Sequence, residues 1–342
     1  MIDVSRRVVS ALQPVRNYFL AQALWFALES SLLETLHSSQ RMTVAQISEA
    51  TGWAPYRVQG LLNFLRTESV VVGPAADDTY SLTPFGSDVL FARPWYELLM
   101  GGYDKTLQPL PSLMADRNTL STRDGAWVGK GSCGISQYDA IPVVSHLIAE
   151  TGDVGVLVDM GCGDGSFLIG LCEEFGLPGI GFDPHASGME AANAAAAEKG
   201  IADRVHFEVG GIEDVDRLLP ANCDRPFFIA AFTLQELLEQ QGRDAVVQAV
   251  SLALARPSAH LGVVEVDNQS ANPKAMSDDF AKAYYNPYFL IHVLTEQRLL
   301  PLAQWRDLFA DAGATILDER TTAREIDPTG FMVGFLLRSA HA

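Results

Sequence analysis

The sequence predicts an α/β fold in which a mostly parallel sheet follows a helical domain. Three observations support this prediction. From about residue 151, short apolar runs alternate with helix-like segments, as in successive βαβ units. A glycine-rich turn follows the first of these runs, and an acidic residue ends the second. Before this region, apolar residues recur at helical spacing. We therefore expect a helical domain over residues 1–90, a connecting region that lines a pocket over 91–150, and an α/β domain over 151–342.

Composition excludes several function classes. The chain has 342 residues, 48% of them hydrophobic, and its net charge is −18 at pH 7. An acidic surface repels the phosphates of nucleic acids and of anionic membranes, so we expect neither as a partner. The four cysteines lack C-x-x-C spacing, and no apolar run reaches the length of a membrane span. These features predict a cytoplasmic protein with reduced thiols.

The first helical segment is unusually apolar. Residues 5–37 show helical periodicity, and much of this stretch is apolar on more than one face. Such a helix needs a surface to pack against. We expect that surface to be a second protomer in a homodimer, and burial against another part of the same chain is the alternative.

A small structural module is predicted after this segment. A capped helix begins at Thr43, a second helix covers 56–67, and a hairpin follows over 70–82. This order is typical of a winged helix. However, the second helix offers only Arg57 and Arg66 as cations, which is too few for the phosphate contacts of a DNA-binding domain.

The glycine-rich turn is the most informative segment of the α/β domain. An apolar strand reaches Asp159, and Gly161, Gly163 and Gly165 follow before a helix over 167–175. Glycines let the backbone turn tightly and approach a ligand closely. The next strand ends in Asp183, twenty residues after Gly163, which is about the spacing at which a carboxylate binds ribose hydroxyls.

The remaining strands complete a single sheet. The helices between them satisfy the crossover rule for parallel strands. We expect the last two strands to form a hairpin that places one antiparallel strand at the sheet edge. The predicted strands are 155–159, 179–183, 204–209, 226–232, 260–267, 314–322 and 330–338.

These motifs resemble the class I S-adenosylmethionine-dependent methyltransferases, in the small-molecule branch whose N-terminal winged-helix domain forms dimers. The resemblance implies a Rossmann-like sheet of seven strands, the last antiparallel, and S-adenosylmethionine as cofactor. In such enzymes a Gly-Asp pair lies near the adenine, whereas this chain has Gly210-Gly211. The resemblance implies that Asp159, Gly161, Gly163 and Gly165 hold the methionine portion and that Asp183 binds the ribose. Near the adenine, it implies Glu213 or Asp214 as a substitute for the missing aspartate.

The chain differs from the O-methyltransferases of this branch at the position of their catalytic base. These enzymes place a histidine just after the fourth strand, where this chain reads Thr-Leu-Gln-Glu-Leu over 233–237. Gln235 occupies the position of the histidine, and an amide cannot accept a proton as a base does. This difference counts against methylation of a phenol.

The metal-dependent α-keto acid C-methyltransferases, of the phenylpyruvate and 2-ketoarginine type, are a better match. Trp95 and Arg123 fall at matching positions, and they are the implied catalytic residues. His292 matches a metal-binding histidine, and the second such histidine falls at Glu236, or at Gln235 if the register shifts by one. Oxygen and imidazole ligands together suit iron or zinc. Such a metal would stabilise an enolate as a Lewis acid, while Arg123 would clamp the substrate carboxylate.

The sequence therefore predicts a methyltransferase that acts on the β-carbon of an α-keto acid, on the route to β-methyl amino acids. We favour 2-ketoarginine as substrate, because the connecting region carries acids that could meet a guanidinium. Two alternatives remain open: an O- or N-methyltransferase without a metal, and a regulator without catalytic activity. The acids of the connecting region are Glu97, Asp104, Asp124 and Asp139.

Overall fold

The computed structural model describes residues 4–74, 76–116, 118–219, 223–295 and 297–341, with the backbone alone at Asp216. Its contacts divide the chain into two compact units. The first is Met1–Asp104 with Asp124–Gly131, and the second is Lys105–Arg123 with Ser132–Ala342. Among the described residues, no helix is long and apolar enough to cross a membrane.

The first unit is mainly helical. Its elements are α1 (Val4–Glu29), α2 (Leu32–Ser39), β1 (Met42–Thr43), α3 (Val44–Thr51), α4 (Pro55–Thr67), β2 (Val71–Val72), β3 (Thr79–Leu82), α5 (Pro84–Phe91), α6 (Arg93–Tyr96) and a π-helical turn (Glu97–Gly102). The three strands form a small antiparallel sheet of order β1-β3-β2. Thr43 and Gln46 form a reciprocal capping box at the start of α3, as the sequence predicted for a capped helix. The order of two helices and a hairpin is present as α3, α4, β2 and β3.

The two halves of α1 differ in burial. Near its end, Leu24 and Leu28 belong to the core of the first unit. In its first half, four apolar side chains are 48–58% exposed: Val8, Leu12, Val15 and Phe19. Burial within the chain therefore accounts for the end of α1 and leaves an apolar surface on its first half.

The second unit is built around a seven-stranded sheet. Its elements, in chain order and with the helices that precede the sheet, are α7 (Leu110–Ala115), α8 (Gly125–Ser136, whose first residues belong to the first unit), α9 (Ala140–Thr151), β4 (Val156–Met160), α10 (Ser166–Phe175), β5 (Gly179–Asp183), α11 (Ala186–Glu198), β6 (Val205–Val209), α12 (Val215–Leu218), β7 (Pro226–Ala231), α13 (Leu234–Gln241), α14 (Arg243–Leu254), β8 (His260–Val266), α15 (Asn286–Leu294), α16 (Leu302–Asp311), β9 (Ala314–Thr321) and β10 (Met332–Ser339). Short turns cover Ile212–Asp214, Ala275–Ser277 and Ala281–Tyr285.

The strand order is β6-β5-β4-β7-β8-β10-β9. Neighbouring strands from β6 to β8 are parallel, and β10 is antiparallel to both of its neighbours. This confirms the predicted Rossmann-like sheet of seven strands with the last antiparallel. The expectation that the antiparallel strand lies at the edge was wrong. Burial along β10 is nearly continuous, whereas along β9 it alternates. A strand that is apolar on both faces is stable inside the sheet, so β9 takes the edge.

The core has one cluster on each side of this sheet. Val158 and Phe228 belong to one cluster, and their chain neighbours Leu157 and Phe227 belong to the other. This alternation follows from the period of two along a strand. Because the sheet is covered on both faces, a ligand finds access at the carboxyl ends of the parallel strands, where the order reverses between β4 and β7.

Candidate functional site

The glycine-rich turn lies at the carboxyl end of β4. Gly163 and Gly165 both adopt left-handed backbone conformations, with φ of +56° and +76°. A Cβ atom at Gly165 would lie 2.6 Å from the Phe207 ring, so this glycine allows tight packing of α10 on the sheet. A Cβ atom at Gly163 would meet nothing within 4 Å. The backbone at Gly163 therefore faces open space in which a ligand fits. Gly161, also left-handed at φ +86°, packs against Thr233.

Asp183 lies beside this turn, as the sequence predicted. Its Oδ2 accepts the backbone N–H of Gly163 at 3.3 Å, and its Oδ1 accepts the backbone N–H of His185 at 2.9 Å. The side chain of Asp183 remains 15% exposed. A carboxylate that is oriented by two backbone donors and still reachable is well placed to accept hydrogen bonds from a vicinal diol.

Asp159 lies beneath the turn and is fully enclosed. Burial raises the pKa of its carboxyl to about 7, and the charges of Asp183 and Asp164 act in the same direction. Three carboxyl groups thus surround one turn. Such a site favours a ligand that carries positive charge.

The two candidates near the adenine differ in role. Asp214 accepts the backbone N–H of Gly211 at 3.2 Å and forms an ion pair with Arg217. It therefore stabilises its own loop. Glu213 is exposed, and its carboxylate lies directly over Gly211. Of the two, Glu213 is the one whose side chain is available to a ligand.

A cavity of about 550 Å³ opens in the second unit. This volume suits a small organic molecule. His185, which also lies 2.9 Å from Asp183 through its Nδ1, connects the cavity to the acid beside the glycine turn. The lining residues are Leu120, Arg123, His185, Glu236, Glu239 and Gln240.

Arg123 and Glu236 meet in this cavity. Arg123 Nη2 donates to Glu236 Oε1 at 2.8 Å, although 113 residues separate them. Gln297 Nε2 donates to the same oxygen at 3.1 Å. Gln297 escaped the sequence analysis, since it belongs to a loop that carries no motif. The structure therefore brings together two predicted site residues and adds a third that orients them.

His292 and Gln235 are both buried. Nδ1 of His292 lies 2.7 Å from the carbonyl oxygen of Tyr288, so Nδ1 carries the proton and Nε2 holds a lone pair. Burial lowers the pKa of His292 to about 3, and the charge of Arg123 contributes in the same direction. The ring is therefore neutral at physiological pH. The side-chain oxygen of Gln235 is buried and accepts no hydrogen bond from the described residues.

Glu265 supports the first turn of α13. This residue is the penultimate residue of β8 and is buried, and its Oε1 accepts the backbone N–H of Gln235 at 3.2 Å. Burial raises the pKa of its carboxyl well above the usual value. An acid within the apolar run 260–267 was a signal that the sequence analysis did not use.

Trp95 belongs to the first unit, where its ring packs against Phe91 at a centroid distance of 6.5 Å. Its catalytic role stays a prediction. Within the part of the chain that the structure describes, no three histidine, cysteine or acidic side chains are grouped to bind a metal ion. If His292 and Glu236 held a metal, it would therefore need further ligands, such as the amide oxygen of Gln235 or oxygens from substrate or water.

The chain is similar to known methyltransferases. Residues 153–306 match a family described as a methyltransferase domain. The 2-ketoarginine methyltransferase of Streptomyces arginensis is 42% identical over 337 residues, which cover 97% of this chain and 96% of that protein. The indolepyruvate C-methyltransferase of Streptomyces griseus is 30% identical over 142 residues, or 42% of each chain.

Solved structures share the fold. An O-methyltransferase family protein from Burkholderia thailandensis aligns with a TM-score of 0.71 at 16% identity, covering 98% of this chain and 99% of that one. Mitomycin 7-O-methyltransferase aligns with a TM-score of 0.65 at 18% identity, covering 98% of both chains. At this identity, the alignments establish the architecture of both the sheet and the N-terminal helical region.

Proposed function

Because the chain belongs to the class I S-adenosylmethionine-dependent methyltransferases, we propose that it transfers a methyl group to the β-carbon of an α-keto acid, and that 2-ketoarginine is this substrate. The observation that carries the proposal is the 42% identity, along nearly the whole chain, to a 2-ketoarginine methyltransferase. Two further features support it: Arg123 offers the cavity a cation for a carboxylate, and the sequence has Gln235 where related O-methyltransferases have a base.

The turn after β4 fits S-adenosylmethionine. The methionine portion would occupy the open space at Gly163, and the acids around the turn suit the positive charge of its sulfonium. Asp183, held by the N–H groups of Gly163 and His185, would accept the ribose hydroxyls. Glu213 would lie near the adenine. The cofactor supplies a methyl group that is bonded to its sulfonium sulfur. After the transfer, the rest of the cofactor leaves as S-adenosylhomocysteine.

Arg123 is the residue that would bind the substrate carboxylate. Glu236 holds one end of its guanidinium, and Gln297 in turn fixes Glu236. A guanidinium that is already oriented loses less freedom when it forms a two-pronged hydrogen bond. Catalysis then depends mainly on positioning: the β-carbon gives up a proton to solvent water, the resulting enolate carbon attacks the methyl group in line, and a carbon–carbon bond replaces the carbon–sulfur bond.

We further propose that His292, Glu236 and Gln235 hold a metal ion, iron or zinc. Three features support this. His292 donates Nδ1–H to a backbone carbonyl, which is the usual support of a metal-binding imidazole. The imidazole is neutral, and Gln235 presents a buried oxygen that accepts no hydrogen bond from the described residues. When bound, the metal would act as a Lewis acid toward the keto oxygen and increase the acidity of the β-protons.

A turnover assay tests both proposals. Methyl-labelled cofactor is supplied with 2-ketoarginine, phenylpyruvate, indolepyruvate, a phenol and an amine, before and after treatment with EDTA. We expect label on the keto acids, most of all on 2-ketoarginine, and a loss of at least about tenfold after chelation, because Lewis-acid stabilisation contributes several kcal/mol. Added iron or zinc should restore the rate.

The possible outcomes separate the alternatives. Label on the phenol or amine alone would instead support a metal-free O- or N-methyltransferase. Full activity on keto acids after chelation would refute the metal while leaving the reaction in place. Cofactor binding without turnover of any acceptor would favour a regulator, although the acidic charge argues against DNA as its target.

We also propose that the chain is a cytoplasmic homodimer and that the first half of α1 forms the interface. Replacing Leu12 and Phe19 by glutamate should convert dimers to monomers, since burying unpaired charges costs about 3 kcal/mol or more. Light scattering after size exclusion would measure the mass. Leu317→Glu, at another exposed apolar side chain on edge strand β9, is the control and should not alter the mass. A monomeric wild-type protein at micromolar concentration would contradict the proposal.

A further inference from the structure

The charges around the cavity are not balanced. Arg123 is the cation of the lining, and Glu236 already accepts its hydrogen bond. His185 contacts Asp183. Glu239 also lines the cavity with an exposed side chain, and no hydrogen bond or ion pair joins it to another described residue. The cavity therefore carries an acidic side chain that lacks a cationic partner.

Glu239 is held on a fixed helix. Leu234 and Leu238 of α13 are buried in the core of the second unit. At the start of the helix, the backbone N–H of Gln235 donates to Glu265. At its end, the backbone N–H of Gly242 donates to the carbonyl oxygen of Leu238. Glu239 therefore projects from a helix that is anchored at both ends, and its position relative to Glu236 is set by helical geometry.

Arg123 and Glu239 line the same cavity about one helical turn apart. Residues three apart on a helix are neighbours, with Cβ atoms about 5–6 Å apart. The guanidinium of Arg123 donates a hydrogen bond to Glu236, and Glu239 lies about one turn further along the helix that carries Glu236. In 2-ketoarginine, six bonds of about 1.5 Å separate the carboxyl carbon from the guanidinium carbon, which gives roughly 7 Å in an extended chain. Because Arg123 and Glu239 line the same cavity, an elongated molecule with a carboxylate at one end and a guanidinium at the other has an oppositely charged partner for each end.

We propose that Glu239 binds the guanidinium of the substrate and so determines the preference for 2-ketoarginine over α-keto acids with uncharged side chains. The inference rests on the proposed function. With the carboxylate on Arg123 and the guanidinium on Glu239, each charged end of the substrate meets the opposite charge. A carboxylate and a guanidinium form parallel hydrogen bonds. A phenyl or indole ring would gain nothing from Glu239.

The acids that the sequence offered for this role are engaged elsewhere. Glu97 forms ion pairs with Arg93 and Lys130. Asp104 accepts a hydrogen bond from Gln22, and Asp124 accepts the backbone N–H groups at the start of α8. In the second unit, Asp139 is enclosed and accepts the N–H of Ala140 at the start of α9. None of them lines the cavity of the second unit.

The test compares 2-ketoarginine with its ureido analogue, 5-ureido-2-oxopentanoate, in which a neutral urea replaces the guanidinium at nearly the same shape. The measured quantity is the ratio of kcat/KM for the two substrates. Glu239→Gln should lower this ratio about fivefold, the upper end for an exposed ion pair, mainly through KM for 2-ketoarginine. Glu239→Lys should lower it more than tenfold. Asp244→Asn removes the same charge from an exposed position in α14 and should leave the ratio unchanged.

The outcomes separate this inference from the proposed function. If the wild type methylates neither keto acid, the proposed function fails. If it methylates 2-ketoarginine with a preference over the ureido analogue, and Glu239→Gln keeps that preference, Glu239 does not recognise the guanidinium. Affinity for S-adenosylhomocysteine, measured by calorimetry, should be equal in all variants. A loss there would show that the substitution disturbs the fold, and Glu239→Asp then provides the test, with a partial loss of the preference expected.

Discussion

Replacing Arg123 by alanine is expected to lower kcat/KM for the keto acid by about a hundred- to a thousandfold. The substitution removes the cation that would bind the substrate carboxylate, and truncating one partner of a charge-assisted pair costs about 3–4 kcal/mol. It also leaves Glu236, whose Oε1 lies 2.8 Å from Arg123 Nη2, to repel the incoming carboxylate. Steady-state kinetics with labelled cofactor would measure the effect.

Two further variants make this result specific. Arg123→Lys keeps the charge but loses the forked geometry, so we expect an intermediate loss. Arg306→Ala removes an arginine that pairs with Glu319 in an exposed position and should change kcat/KM by less than about twofold. An unchanged KM in Arg123→Ala, with normal thermal stability, would show that the carboxylate binds elsewhere.

Replacing Asp183 by alanine is expected to weaken binding of S-adenosylmethionine by about a hundredfold. Hydrogen bonds to a charged group contribute about 1.5–3 kcal/mol each, and the ribose would lose its acceptor. The N–H groups of Gly163 and His185 would lose theirs as well, so the turn itself becomes less ordered. Isothermal titration calorimetry with S-adenosylhomocysteine would give the dissociation constant.

Asp203→Ala is the control for Asp183, because Asp203 is an exposed acid in the loop before β6. It should bind the cofactor with wild-type affinity. An affinity within threefold of wild type in Asp183→Ala would show that the ribose is held by other groups. A lower melting temperature combined with normal affinity would assign Asp183 a structural role at the turn instead.

The sheet and the cofactor turn could be predicted from the sequence because their signals are local. Each observed strand of the large sheet lies within two residues of its predicted bounds. The glycines at 161, 163 and 165 all adopt the left-handed conformation that a side chain disfavours, and Asp183 reaches the turn through contacts between neighbouring strands. Periodicity, turn chemistry and strand pairing are properties of short segments and of segments adjacent in the fold.

The position of the last strand could not be read in this way. The sequence shows a hairpin, but a hairpin fits a sheet edge in either order. Only the packing decides, since β10 is covered on both faces and β9 is half exposed. The surroundings of the acids in the connecting region could not be read from the sequence for a related reason: Glu97 and Asp139 are engaged by neighbours that the sequence does not reveal, and neither lines the cavity of the second unit.

By itself, the sequence determined that this chain folds around a glycine turn of the kind that binds S-adenosylmethionine, and that Gln235 follows the fourth strand, at the position that the resemblance aligns with the histidine of O-methyltransferases. Both features lie within a few consecutive residues. The tertiary structure alone decided that Arg123 faces Glu236 across 113 residues, that Gln297 orients this pair, and that Glu239 lines the same cavity. Contacts between distant segments depend on how whole helices pack on the sheet, which no short stretch of sequence encodes.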